Sequence, residues 1–370
     1  MRSGFIAHVA LAFTLGLTVF TSNLKAETDQ GGFVYVMTNR AEGNSVLVFR
    51  RSSNGALQLV QDAPTKGLGT GFSVDPFASQ GSLSLSSDGK KLLAVNPGSG
   101  DLTAFLVTAN GLSFGSKVSS FGAFPVSVTD FGGVVYVLNQ LGIANITGFA
   151  VDNAGHLQHI SGSTRKLAGG ALAQPAQVSF TPDGKELLVT EKGTDLIDIF
   201  QVQGDGLTAG PTTLKSSGHT PFGFAFGPSD SVVVSEAERR LAVEGSSSSY
   251  RLTDRGSLEP VSRKVPDHQT AACWVSITGQ IAWVVNTGSS DISSYEVGAS
   301  GGLTLANPIA ASTGPDTSPI DLASTHDGKF VYVLKSAVGA IAGYRVDGSR
   351  LIPIFTKTGL PLSIQGIAIR

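Results

Sequence analysis

Apolar runs of roughly four to eight residues, the length of β-strands, alternate with Gly-, Asp-Gly- and Ser-rich turns from Phe33 to the end of the chain. One module recurs: an apolar strand ending on a polar residue, a short loop, a second strand, a Gly turn and a third strand. FVYVMTN with NSVLVFRRSSNGALQLV opens the series, KLLAVNPGSGDLTAFLVTANGLSF follows, and FVYVLKSAVGAIAGYRVDGSRLIPI closes it. Seven copies align on Tyr35, Leu93, Tyr136, Leu188, Val234, Trp283 and Tyr332, at steps of 43 to 58 residues. Such periods belong to stacked or ring-shaped repeat architectures.

A further small, apolar strand precedes most modules, in segments such as AQVSFTPDGK, FGFAFGPSDS and IDLASTHDGK. It often reaches the next strand through Asp-Gly, a tight-hairpin signal. The first module lacks it, whereas the final residues, PLSIQGIAIR, supply a copy with no module after it. The pattern predicts an all-β, seven-bladed propeller of four-stranded blades, closed by pairing of the N- and C-terminal segments: Ile364–Ile369 completes the sheet begun by Phe33–Val60. A β-sandwich does not repeat one four-strand unit seven times. No Trp-Asp pair marks the WD class, and two tryptophans are too few for the quinone-binding class.

Ahead of the repeat, Arg2 precedes an apolar stretch at 4–20 and a polar segment ending at Ala26, the layout of an export signal. Residues 1–26 are expected to be a signal peptide and 27–370 a single propeller domain. That domain is expected in the periplasm or outside the cell, with no membrane contact once the signal is removed. Composition narrows the partners. With 41% hydrophobic and 15% charged residues, the chain is neither disordered nor a coiled coil. Twenty-six basic against 28 acidic residues leave a net charge of −2, so no long-range field draws in nucleic acid. One cysteine, Cys273, excludes intrachain disulfides and cysteine-ligated zinc. No cofactor is expected, and the chain reads as a monomer.

Candidate chemistry gathers where second strands end and loops enter the inner strands, at a mouth of the central channel. The seven second-strand ends are Asn39, Asn96, Asn139, Glu191, Glu236, Asn286 and Lys335. Asn commonly satisfies turn N–H groups, so the asparagines read first as structural. Asn39, Asn139 and Asn286 are nonetheless candidate substrate contacts, with Lys335. Glu191 and Glu236 break the Asn preference in adjacent blades. Two carboxylates sharing a mouth would split into an acid and a base near neutrality, although salt bridges to Lys192 or Arg239 explain them equally. His219 and His268, in SGHTPFG and DHQTAACW, stand before consecutive inner strands, placed as general bases or as ligands of a neighbouring blade's backbone. Glu191, Glu236, His219 and His268 are thus the catalytic candidates.

Two excursions interrupt the repeat. Ala237–Ser249 carries Arg239 and Arg240, suited to bidentate capture of a substrate carboxylate. Gln61–Gln80 carries Lys66, Asp75 and GLGTG, without the strand-then-helix setting of a nucleotide fingerprint, and reads as a loop. The G-x-S-x-G match at 298–302 falls on a hairpin turn, not on a nucleophile elbow. A channel cation on Glu191, Glu236 and Asn oxygens is a chemically open alternative, but no residues are assigned as metal ligands.

The segments PAQVSFTPDGKELLVTEKGTDLIDIFQV (175–202), TPFGFAF…VVVSEAE (220–238) and TAACWVSITGQIAWVVNTGSSDISSYEV (270–297) resemble the lactonase-like seven-bladed propellers. That family includes bacterial 6-phosphogluconolactonase and fungal carboxy-muconate cyclase. The resemblance spans the whole chain after the leader. It implies metal-independent hydrolysis of a small lactone, or (cyclo)isomerisation of a muconate-type acid, at the channel mouth. The family's enzymes look richer in His and Arg at the inner-strand entrances, as in Gly-Pro-Arg-His. Here those places read Gly122–Pro125, Gln174–Pro175, His219–Pro221 and His268–Thr270, so no catalytic set transfers. The expected partner is a small lactone or organic acid. The alternative is a non-catalytic binding or scaffold propeller for a surface, cell-wall or protein ligand.

Overall fold

Second strands such as Phe33–Met37, Lys91–Asn96, Glu186–Glu191, Ser231–Glu236 and Phe330–Lys335 are buried along their whole length. Each lies mid-blade with a neighbouring blade over both faces, which is why the sequence shows continuous apolar runs and not a clean alternation. The computed structural model describes Met1 and residues 31–370. Apart from Met1, the expected signal at 1–26 lies outside the described residues.

Seven antiparallel sheets form the ring. Blade 1 joins both ends of the chain, in the order Ile367–Ile369, Phe33–Met37, Ser45–Arg51, Leu57–Pro64. The inner strands of blades 2 to 7 begin at Leu83, Ala123, Pro175, Pro221, Ala272 and Pro319. Closure is by the expected C-terminal segment, antiparallel, with Val34 opposite Ile369 and Val36 opposite Ile367. The closing strand is shorter than expected: the regular ladder covers Ile367–Ile369, and Gln365 and Gly366 add only single backbone bonds to Met37 (3.2 and 3.0 Å). Ile364 and Gln365 are still fully buried. Blade 3 departs from the pattern, its outer strand split into Leu157–His159 and Arg165–Lys166.

Aromatic side chains at the repeat anchor positions wedge between blades. Tyr136 Oη donates to the Gly206 carbonyl (2.9 Å) and Tyr332 Oη to the Gly55 carbonyl (2.7 Å), each in the hairpin turn of the next blade. Both turn glycines have positive φ, +78° and +87°, which a side chain resists.

Two features shape the channel. Five inner strands shift register near their start, at Pro125/Ser127, Pro175/Gln177, Pro221/Phe224, Ala272/Trp274 and Ile320/Leu322. Such bulges re-aim side chains at barrel and channel rims. The second feature is the excursion from blade 1 to blade 2, which crosses the channel at Phe77–Gln80. Gln80 N–H donates to Ala176 O of blade 4 (3.0 Å), and the Gln80 side chain pairs both polar groups of Val275 in blade 6 (2.8 and 3.0 Å). Trp274 Nε1 and Gln365 Nε2 both donate to Ser79 O, each at 2.8 Å, and Gln365 Oε1 accepts from Phe77 N–H (2.9 Å). The chain thus plugs its own channel. Among the described residues no helix is long and apolar enough to cross a membrane.

Candidate functional site

Above the plug lies a cavity of about 230 Å³, walled by blades 4, 5 and 6. Its apolar wall is Ala78, Phe222, Ala237, Ala271 and Cys273; Gln174, Thr220 and Thr287 add neutral polar groups; Asp75, Lys192 and Arg240 supply charge. Phe222 and Cys273 occupy the bulges of blades 5 and 6. Gln174, Thr220 and Ala271 adopt positive φ (44°, 57° and 61°) just before the inner strands, so the entrance backbone of three consecutive blades is held in a disfavoured conformation around the cavity.

Lys192 and Asp75 face each other across this space. Lys192 Nζ donates to Ala78 O and to Pro175 O (3.4 Å) and lies 5.1 Å from the centre of the Phe222 ring. Burial lowers its amine to about 8, against the opposing pull of Asp75. Burial raises the Asp75 carboxyl to about 6, while Lys192, Arg240 and the Ala78 N–H hold it down. One Asp75 oxygen, Oδ1, is buried with no hydrogen-bond partner. A base and an acid that titrate on either side of neutrality therefore share one small, mostly apolar chamber. Burial also raises the Cys273 thiol far above its ordinary range, so it lines the chamber as an inert apolar group.

The second-strand end residues sit elsewhere. Side chains alternate along a strand, so a shift of one position changes the face. The ends turn into the blade, and the next residues turn to the channel: Gln140, Lys192, Thr287 and Ser336 reach backbone carbonyls at the entrances. Glu191 is fully buried, accepting from Gly169 N–H (3.0 Å) and from the Thr194 hydroxyl. Beside it, burial first and Glu191 second hold the Asp198 carboxyl well above its usual range. Glu236 accepts from Gly218 N–H (2.7 Å) and from the hydroxyls of Ser216, Ser246 and Ser248 (3.1, 2.8 and 2.7 Å). Neither carboxylate lines the cavity.

His219 stands on the rim, its Nδ1 2.7 Å from Asp195 Oδ2, with the exposed Arg239 guanidinium 3.5 Å from the same oxygen. His268 is exposed, with φ of 61°. Asn39 brackets Thr70, accepting from its N–H (2.7 Å) and donating to its hydroxyl (2.8 Å), and so anchors the plug loop. Asn139 donates to Ser120 O and Asn145 Oδ1, and Asn286 to Asp291 Oδ1 and Ser293 Oγ. Lys335 is buried in blade 7, and burial lowers its amine. Of the residues singled out in the sequence for catalysis or substrate binding, Arg240 alone lines the cavity. Asp75 and Lys192 were visible only as a loop residue and as a neighbour of Glu191. The strand period of two, applied one residue further along, points to Lys192. Among the described residues no three His, Cys, Asp or Glu side chains gather as a metal centre.

Fold and cavity define a seven-bladed propeller whose channel is blocked from within. The sequence match makes the class specific: residues 18–173 and 169–352 match the lactonase seven-bladed β-propeller family, and the chain belongs to it. No curated protein matches the sequence. Among solved structures, a candidate 6-phosphogluconolactonase of Bacteroides fragilis superposes with TM-score 0.70 at 19% identity, over 93% of this chain and 99% of that one. One from Bacteroides uniformis gives 0.70 at 18%, over 91% and 99%. The periplasmic gluconolactonase of Pseudomonas aeruginosa gives 0.69 at 18%, over 91% and 98%. At these identities the likeness is one of fold.

Proposed function

We propose that this chain is an exported lactonase that opens a small lactone in the cavity above the plug. The observation that carries the reading is Asp75, a carboxylate with an unpartnered buried oxygen, facing Lys192 in the mouth of a lactonase-family ring. Asp75, ionised at neutral pH, takes a proton from water as the water oxygen attacks the lactone carbonyl carbon. Lys192, still cationic, donates toward the oxygen on which negative charge develops. The ring C–O bond then breaks, and the alkoxide recovers the proton from Asp75. Arg240 at the opening pairs with an acidic group on the substrate. The charged N-terminus and apolar stretch of the leader, and the periplasmic location printed for the Pseudomonas neighbour, support export.

The experiment is turnover of a panel of sugar-acid and unsaturated-acid lactones by the purified chain, followed by pH titration on release of the acid. Hydrolysis that disappears in Asp75→Asn supports the reading. A folded protein that hydrolyses none of them overturns it. A second reading has its own support: Lys192 already donates to two backbone carbonyls, as in a purely structural strut. In that reading the ring is a binding module, and calorimetry would find small organic acids bound at Arg240 without turnover.

A further inference from the structure

The two faces of the ring differ in chemistry. Seventeen large hydrophobic residues are exposed within 31–370; eleven lie on the loops of the mouth face and the other six on outer strands. Leu172 (73% exposed), Phe72 (64%), Val243 (60%) and Leu241 (58%) lead the eleven, with Leu141 and Ile143 beside them. None lies among the turns of the opposite face.

Charge separates in the same direction. The hairpins of the opposite face are built on Asp, whose side chain accepts from the backbone two residues on, as Asp88 does from Lys90 N–H and Asp183 from Lys185 N–H. This turn chemistry draws exposed acids to that face, among them Asp88, Asp152, Asp183, Asp205, Asp254 and Asp327. Lys90, Lys185, Lys329, Arg255 and Arg350 stand in or beside the same turns and offset part of this charge, the three lysines by pairing with Asp88, Asp183 and Asp327. The mouth face exposes Lys66, Lys166, Lys215, Arg239 and Arg240 against Glu42, Glu244 and Asp316. A net charge of −2 thus conceals an apolar-studded face with a basic excess and a polar face of mixed charge in which acids outnumber bases.

We infer that the mouth face docks on an anionic lipid surface, so that the cavity opens into the lipid–water interface. Three considerations select this occupant. The positive charge of the face matches anionic headgroups, which attract Lys and Arg near the surface. Like charge on both copies opposes pairing of this face with itself. Its apolar side chains are spread around the ring over several loops, in ones, twos and threes, and a fluid surface accepts side chains so distributed without a fixed register. The sequence expectation of a protein free of membranes rested on the lack of a second long apolar run, and a docking face needs none.

The test is sedimentation of the purified chain with vesicles rich in phosphatidylglycerol, with phosphatidylcholine vesicles and free glycerol phosphate in parallel. Binding to the anionic vesicles alone, weakened by salt, is expected. It should fall roughly tenfold in the Phe72→Ser, Leu241→Ser, Val243→Ser variant and in Lys66→Glu, Lys166→Glu. Arg255→Glu, on the opposite face, should leave it unchanged. The inference is overturned if the folded chain stays in solution with anionic vesicles at low salt, or if Arg255→Glu weakens binding equally. It is likewise overturned if analytical ultracentrifugation shows a dimer that the triple Ser variant dissolves. Because the readout is binding, its outcome is independent of whether any lactone is turned over.

Discussion

Single side chains separate the site from the scaffold. Asp75→Asn keeps the shape of the carboxylate and removes its basicity, so lactone turnover is expected to fall by roughly 100- to 10,000-fold, the usual worth of a general base. With Asp75 near 6 and Lys192 near 8, the rate should rise through pH 6, as the base ionises, and decline above pH 8, as the amine loses its proton. A bell-shaped pH–rate profile of kcat/KM, losing its acid limb in the Asn variant, checks this. Glu236 serves the opposite purpose. Glu236→Ala strands one N–H and three hydroxyl donors in a buried site, and a loss of about 3 kcal/mol is expected in a denaturant titration, with activity per folded molecule retained. Asp321 gives a pH signature of its own. Burial raises its carboxyl to about 8, against about 4 in an unfolded chain. Between those values the folded state holds a proton that the unfolded state releases, so stability falls as pH rises, by up to about 1.4 kcal/mol per pH unit. Asp321→Asn should flatten that slope, seen as melting temperatures that draw together across the range.

At the level of elements, strands were legible and loops were not. A blade buries both faces of its second strand, so apolar runs and Asp-Gly turns mark every blade in the sequence. The excursion at 61–80 carries no periodic signal because backbone groups of other blades, not its own pattern, fix its path. The same limit explains the misplaced carboxylates: Glu191 and Glu236 were located correctly at strand ends, but strand ends show chain position and not the face a side chain takes. The plug is predicted to be an element that the site depends on. Gln365→Leu removes the acceptor of Phe77 N–H and one donor to Ser79 O in a fully buried place. A cost of about 2–4 kcal/mol is expected from the stranded groups. Amide hydrogen exchange should quicken at 75–80 before it does in the blades, and kcat should fall with Asp75 out of position.

For the whole molecule, the ring was legible because a repeat reports on itself; seven modules and one orphan strand admit few closures. Deleting 363–370 should abolish the cooperative melt seen by calorimetry. It strips the strand paired with Phe33–Met37 and removes the buried Ile364 and Ile367, each worth about 1.5–3 kcal/mol. The plug divides the channel into the mouth cavity and a separate chamber of about 390 Å³ below, with no lining residue in common. The ring is therefore a cup and not a tube. A cup has one doorway, so in the proposed lactonase an acid formed inside would leave past the same Arg240 that admitted its precursor. Each departing product contests the site with the next arrival, and accumulated acid should slow the enzyme as a competitor of its own substrate.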